Sequence, residues 1–99
     1  MKSWIDKLNK SFENRIRLGI MSALMVNDEV DFLSLKEMLD VTDGNLASHI
    51  AALEKEEYIL VKKEFVGKKT KTNYKVAKLG KAAFISHIKA LENFIKNNK

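Results

Sequence analysis

Apolar residues recur at helical spacing through most of this chain and switch to strict alternation in one stretch. Trp4, Ile5, Leu8 and Phe12 are separated by 1, 3 and 4 residues, which predicts one face of a short helix within residues 1–13. Arg15 to Val26 repeats the signal, with Ile16, Ile20 and Leu24 in line and Met21 and Met25 beside them. Asn14 is placed to cap that helix, although Phe12 and Ile16 are in phase and leave a continuous helix open. After the polar break Asn27-Asp28-Glu29, the piece Val30-Asp31-Phe32 is long enough for one rung of a sheet. Ser34 and Glu37 have the spacing of a capping box and predict a short helix with Leu35, Met38 and Leu39 on its apolar face. Thr42 then opens a helix to about Glu56, on which Leu46, Ile50 and Leu53 share a side.

From Tyr58 the period falls from about 3.6 residues to about 2. Ile59 and Val61 alternate with Leu60 and Lys62, and Thr72, Tyr74 and Val76 alternate with Asn73 and Lys75. Between them Val66-Gly67-Lys68-Lys69 predicts a hairpin turn, with Gly67 supplying the positive φ such turns often require. Helical spacing returns from Lys78 to about Asn97, where Phe84, Ile88, Leu91 and Ile95 recur at intervals of 4, 3 and 4. The two short helices joined by a tight turn make a helix-turn-helix. The whole order predicts one domain over residues 1–99, mainly α with a small antiparallel sheet. That is a winged helix-turn-helix with extra N- and C-terminal helices.

Charge sharpens this picture. The net charge is +5, and the segment from Tyr58 to Lys75 holds six lysines against one acid, Glu64. Elsewhere 12 basic and 12 acidic residues cancel, so the whole excess sits on the hairpin. A lysine run is often only a solvated face, but confinement to one hairpin points to an anionic partner, the phosphate backbone of a nucleic acid first. The chain has no Cys, which excludes disulfides and thiolate chemistry within it and fits a reducing, cytoplasmic setting. Two His residues without further ligands make no structural zinc site, so no metal and no cofactor are expected. No apolar run reaches the roughly 18 residues of a membrane span, and no secretion signal is expected from the N-terminal residues. Neither a nucleophile–base pair nor a phosphate-cradling Gly loop is evident, so an enzyme is not expected.

Val30-Asp31-Phe32, the run Thr42-Asp43-Gly44-Asn45-Leu46-Ala47-Ser48-His49-Ile50, Leu53-Glu54, Tyr58-Ile59, and Tyr74-Lys75-Val76 with Gly80 resemble a bacterial winged-helix transcriptional regulator of the MarR/ArsR-like class. The resemblance covers roughly Arg15 to Leu91 and is most specific at Asp43-Gly44-Asn45. The family usually has Gly where Glu57 stands, so a left-handed helix cap there would cost about 1 kcal/mol. It also tends to have Thr or Ser in place of Ala77, which leaves the last helix without its usual N-cap.

The resemblance implies a recognition helix, 42–56, in the major groove of double-stranded DNA. At 100° per residue, Ile50 and Leu53 fall within about 40° of Leu46, which marks the packed side. Gly44, Ser48, Ala51 and Lys55 lie opposite, with Asn45 and Ala52 just off that line. Asn45 is the best base reader, because a side-chain amide can bond adenine at N6 and N7 together. Ser48 suits a base or a phosphate, while Gly44, Ala51 and Ala52 permit close approach. Asp43 either serves the helix N-terminus or accepts from cytosine. His49 lies about 60° from the Leu46 line, a flank position as suited to partial burial as to a base contact. Lys62, Lys63, Lys68, Lys69 and Lys71 of the basic wing, 62–75, are expected on phosphates or the minor groove; with no Arg there, they anchor more than they read. Arg15 and Arg17 serve phosphates or pair with acids.

The last helix spans roughly 30 Å, longer than a small core covers. Its apolar stripe meets either the N-terminal stripe of the same chain or a second copy. The resembling family reads two-fold related sites, which favours a homodimer joined through residues 1–13 and 84–99, with Trp4, Ile5, Leu8, Phe84, Ile88, Leu91 and Ile95 at the interface. His87 is expected at the surface or in that interface. The operator is then a rough inverted repeat. The alternative is a winged-helix protein–protein interaction module whose wing meets an acidic surface. Nothing in the sequence identifies a small-molecule effector.

Overall fold

A computed structural model describes residues 4–97, with the side chain of Trp4 outside that description. Four helices, α1 (Arg15–Val26), α2 (Phe32–Leu39), α3 (Asp43–Lys55) and α4 (Lys78–Asn97), accompany three strands, β1 (Val30–Asp31), β2 (Ile59–Val66) and β3 (Lys69–Val76). The antiparallel sheet runs in the order β1-β3-β2. Val30 pairs with Tyr74 and Asp31 with Asn73, while β2 and β3 stay in register from Ile59·Val76 to Val66·Lys69. Only Gly67 and Lys68 lie between that last pair, and Gly67 has φ +66°, the backbone of a tight two-residue hairpin turn.

Local chemistry fixes most boundaries. The Asn14 side chain accepts from the N–H groups of Ile16 and Arg17 while its own backbone is extended, so α1 begins there and no helix continues across it. Thr42 caps α3 by accepting from the Asn45 N–H at 3.2 Å. Two expectations are corrected. Among the described residues 4–13 there is no α-helix: Trp4–Lys7 and Lys10–Glu13 are separate 3₁₀ turns. α2 starts at Phe32 and not Ser34, because the Asp31 carboxylate accepts from the Ser34 N–H at 2.8 Å. Pairing of Asp31 with Asn73 holds its backbone extended, which is the conformation a cap needs.

The core gathers Ile20, Met21 and Leu24 of α1, Leu35 of α2, Leu46, Ile50 and Leu53 of α3, and Ile59 and Tyr74 of the sheet. Phe12 joins them at 2% exposure and meets the rings of Tyr58, Phe84 and His87. Two of these contacts are edge-on, the favoured geometry of aromatic pairs. The space between the N-terminal segment, α3 and α4 is therefore filled by the chain itself.

The end of α3 carries the expected strain. The Tyr58 N–H reaches back to the Leu53 carbonyl and the Glu57 N–H to Glu54, a Schellman closure with Glu57 at φ +64°. Glu57→Gly removes the Cβ conflict and is expected to stabilise the fold by about 1 kcal/mol, roughly 4–8 °C in melting temperature. A circular-dichroism melt no higher than wild type would show the strain to be absorbed elsewhere. Ala77 gives α4 no side-chain cap. Its N–H instead donates to the Tyr58 carbonyl at 2.9 Å and pins the helix start to the turn after α3.

Along α4 the buried line is Gly80, His87 and Ala90, with Ala83 half-buried on the same side. The stripe of large residues anticipated from the spacing lies to one side of it. Phe84 packs on Phe12, and Leu91 is half-buried, but Ile88 is 36% and Ile95 69% exposed. At Gly80 no side chain fits, because α4 crosses the Tyr58 backbone too closely there.

Candidate nucleic-acid interface

α3 turns Leu46, Ile50 and Leu53 into the core and leaves Asp43, Gly44, Asn45, Ser48, Ala51 and Lys55 exposed, with His49 and Ala52 half-buried. The face drawn from the helical wheel is thus open to solvent. Its two flanks are held by neighbouring helices. On one side the Arg17 Nε–H of α1 donates to His49 Nδ1 at 3.0 Å. On the other, Lys36 of α2 pairs with Asp43 at 2.8 Å. Asp43 therefore neither caps α3, which is the work of Thr42, nor stands as an uncompensated negative charge at the helix entrance. Arg17 meets a neutral imidazole and not an acid. The Lys36 contact was invisible in the sequence, since the two residues sit on different helices across a turn and share no period.

The hairpin carries its lysines in two environments. Lys62 pairs with Glu29 at 3.7 Å and Lys71 with Asp31 at 3.8 Å. Lys63, Lys68 and Lys69 are exposed and have no ion pair among the described residues. The five pairs from Lys62·Asn73 to Val66·Lys69 lie past the last core rung, Val61·Tyr74, and carry the tip about 17 Å beyond it. Phe65 stands among them at 83% exposure, a residue the alternation did not single out.

These features have close parallels. The family model described as winged helix DNA-binding domain matches residues 16–95. The chain belongs to the winged helix DNA-binding domain family. An uncharacterized protein of Methanocaldococcus jannaschii is 33% identical over 88 residues, 89% of this chain and 96% of its own length. The structure of a transcriptional regulator homologue from Pyrococcus horikoshii superposes with a TM-score of 0.79 at 28% identity, covering 87% of this chain and 85% of that one. A MarR-family protein of Porphyromonas gingivalis shares the fold at a TM-score of 0.68 and 17% identity, over 91% and 84% of the two chains.

In this winged helix domain the β2–β3 hairpin is the wing and α3 is the second helix of the helix-turn-helix. The N-terminal segment braces the far end of that helix. The Asn9 N–H donates to His87 Nδ1 at 3.0 Å, the Asn9 side-chain amide donates to the Tyr58 hydroxyl at 2.9 Å, and the Ser11 hydroxyl donates to the Glu56 carboxylate. His87 is consequently buried within one chain and not displayed at the surface. Among the described residues no cluster of three or more metal-ligating side chains occurs, and no helix is long and apolar enough to cross a membrane.

Both histidines accept at Nδ1 and must be neutral to do so. Burial pushes the His87 pKa below its ordinary value, with Glu13 pulling the other way; burial and then Arg17 lower that of His49. The unfolded chain binds these protons more readily, so the stabilisation is complete above the ordinary histidine pKa of about 6.5 and is lost as pH falls below it. Melting temperature is expected to fall between pH 7.5 and 5.5, and to fall less in His49→Gln/His87→Gln. Equal slopes in the two proteins would refute this assignment. Asp31, lowered chiefly by its Ser34 hydrogen bonds, acts only in the more acidic window below 3.8.

Proposed function

We propose that the protein is a transcriptional regulator that binds double-stranded DNA as a homodimer. The observation that carries this reading is the open Asn45/Ser48 face of α3 beside a wing whose tip lysines have no acidic partner among the described residues. Asn45 reads a base edge in the major groove, and Ser48 takes a base or a phosphate. Gly44 and the alanines allow close approach, and Lys55 and the wing neutralise phosphates. A PadR structure from Bacillus subtilis in complex with operator DNA shares the fold at a TM-score of 0.67 and 14% identity, over 76% of this chain and 48% of that one. It supports the docking as a fold-level parallel. Exposed Ile88 and Ile95 on α4, with half-buried Leu91 and exposed Ile5 nearby in the terminal region, support the second copy. Two recognition helices then read an inverted repeat with half-sites about 10 base pairs apart, or a multiple of that.

Selection of bound fragments from random duplexes by the purified protein tests this directly. The expected product is an inverted repeat, bound with an affinity that drops steeply with salt. Sedimentation should give a dimer that Ile88→Glu/Ile95→Glu dissociates. Absence of any salt-sensitive duplex binding would refute the regulator, and a monomer bound to a single half-site would refute the dimer.

A further inference from the structure

The two faces of the wing differ in kind. Cross-strand partners share a face and successive residues alternate. The register therefore puts Lys62, Glu64, Val66, Lys69, Lys71 and Asn73 on one side, and Lys63, Phe65, Thr70 and Thr72 on the other. Along the stem the first side is compensated: Glu29 takes Lys62, Asp31 takes Lys71, and Glu64 accepts from the Asn73 amide, while Lys69 beside the turn has no ion pair among the described residues. The second continues the face that brings Ile59, Val61 and Tyr74 onto the core beside α3, and Lys63 on it has no acidic partner among the described residues.

Phe65 stands near the end of that second face, one pair from the turn, with Val66 also 61% exposed. It packs on nothing in the core, so folding does not account for a ring left in water. Its surroundings point to a ligand with apolar surface set between negative charges. A duplex groove has that chemistry, with sugar and base edges inside and phosphates along both rims. Apolar side chains such as Phe act there as wedges that partly unstack a base step.

We propose that Phe65 is a DNA-contacting residue: the wing tip enters the minor groove beside the recognition-helix site and wedges Phe65 against a base step, with Lys68 and Lys69 on the bordering phosphates. This rests on the DNA-binding reading above and adds a contact to it. The wedge favours a flexible pyrimidine–purine step at that position, so the selected operator should carry TA or CA/TG there. Specificity then arises partly from how easily the DNA deforms.

Full-length protein and a selected duplex carrying 2-aminopurine at the step facing the wing supply the test. Wild type should raise the probe's fluorescence on binding. Phe65→Ala should lose that rise and bind about tenfold more weakly, with an unchanged salt slope because no charge is removed. Phe65→Leu should recover most of both. Thermal melting should be the same in all three, since Phe65 is 83% exposed. Phe65→Ala that binds like wild type, or weakens binding without changing the fluorescence, overturns the inference while the wild-type affinity keeps the DNA-binding reading intact. Failure of wild type itself to bind duplex at low salt overturns both.

Discussion

Gly80→Ala is expected to destabilise the domain by about 3 kcal/mol, at or beyond the upper end of ordinary overpacking. A Cβ built at Gly80 lies 2.1 Å from the Tyr58 carbonyl oxygen, and 2.7 and 2.8 Å from that residue's carbonyl and α carbons. All three are backbone atoms and have no rotamer through which to escape. Tyr58 is also fixed from several directions. Its N–H closes α3 through Leu53, its carbonyl accepts from Ala77, and its hydroxyl accepts from Asn9. Room for the methyl therefore requires α4 to lift away from the turn and to disturb Phe12, Phe84 and His87 together. For a chain of this size the loss corresponds to roughly 12–24 °C in melting temperature. Gly44→Ala is the control: the same methyl is added in α3 with nothing within 4 Å. A Gly80→Ala melt within a few degrees of wild type would mean that α4 does not press on Tyr58 as described.

Lys68→Glu/Lys69→Glu is expected to lower duplex affinity on the order of a hundredfold near 0.1 M salt and to flatten the salt dependence. Two phosphate contacts account for a change of about 1.8 in the slope of log affinity against log salt. Neutralising Lys62 and Lys71 should do less, because Glu29 and Asp31 already oppose part of their charge. Both pairs are solvent-accessible and weak in stability terms, so neither set should move the melting temperature much. Salt titrations of the two double variants on one duplex separate the environments. Equal losses from both would show the wing's tip and stem to be electrostatically equivalent. Unchanged DNA retention in the reversed tip, with loss of a bound protein instead, would favour the interaction-module reading.

The helices and the hairpin were legible because their signals are local. Asn14 and Thr42 cap α1 and α3 as their positions suggest, and the alternation from Ile59 carries into an in-register hairpin that turns at Gly67. Leu46, Ile50 and Leu53 face the core at the angles a regular helix gives them. The strain at Glu57 followed from the resemblance, since the resembling family usually has Gly at that position. The start of α2 was misplaced because Asp31 and Ser34 are both capping types three residues apart. Pairing with Asn73 decides for Asp31, and that partner lies more than forty residues away. The N-terminal segment looked helical because its apolar spacing is right. Its second 3₁₀ turn is tied instead to His87, Tyr58 and Glu56 through Asn9 and Ser11.

By itself the sequence determined the element order, the inward side of α3 and the concentration of positive charge on one hairpin. Each of these depends on spacing or composition within a few turns of chain. The tertiary structure decided which line of α4 is buried, which wing lysines face acids, and what holds Asp43 and His49. These depend on groups distant in sequence coming within a few ångströms: Gly80 against Tyr58, Lys71 near Asp31, Lys36 beside Asp43 and Arg17 beside His49. No periodicity encodes such meetings, because packing selects partners by distance and shape after the local elements have formed.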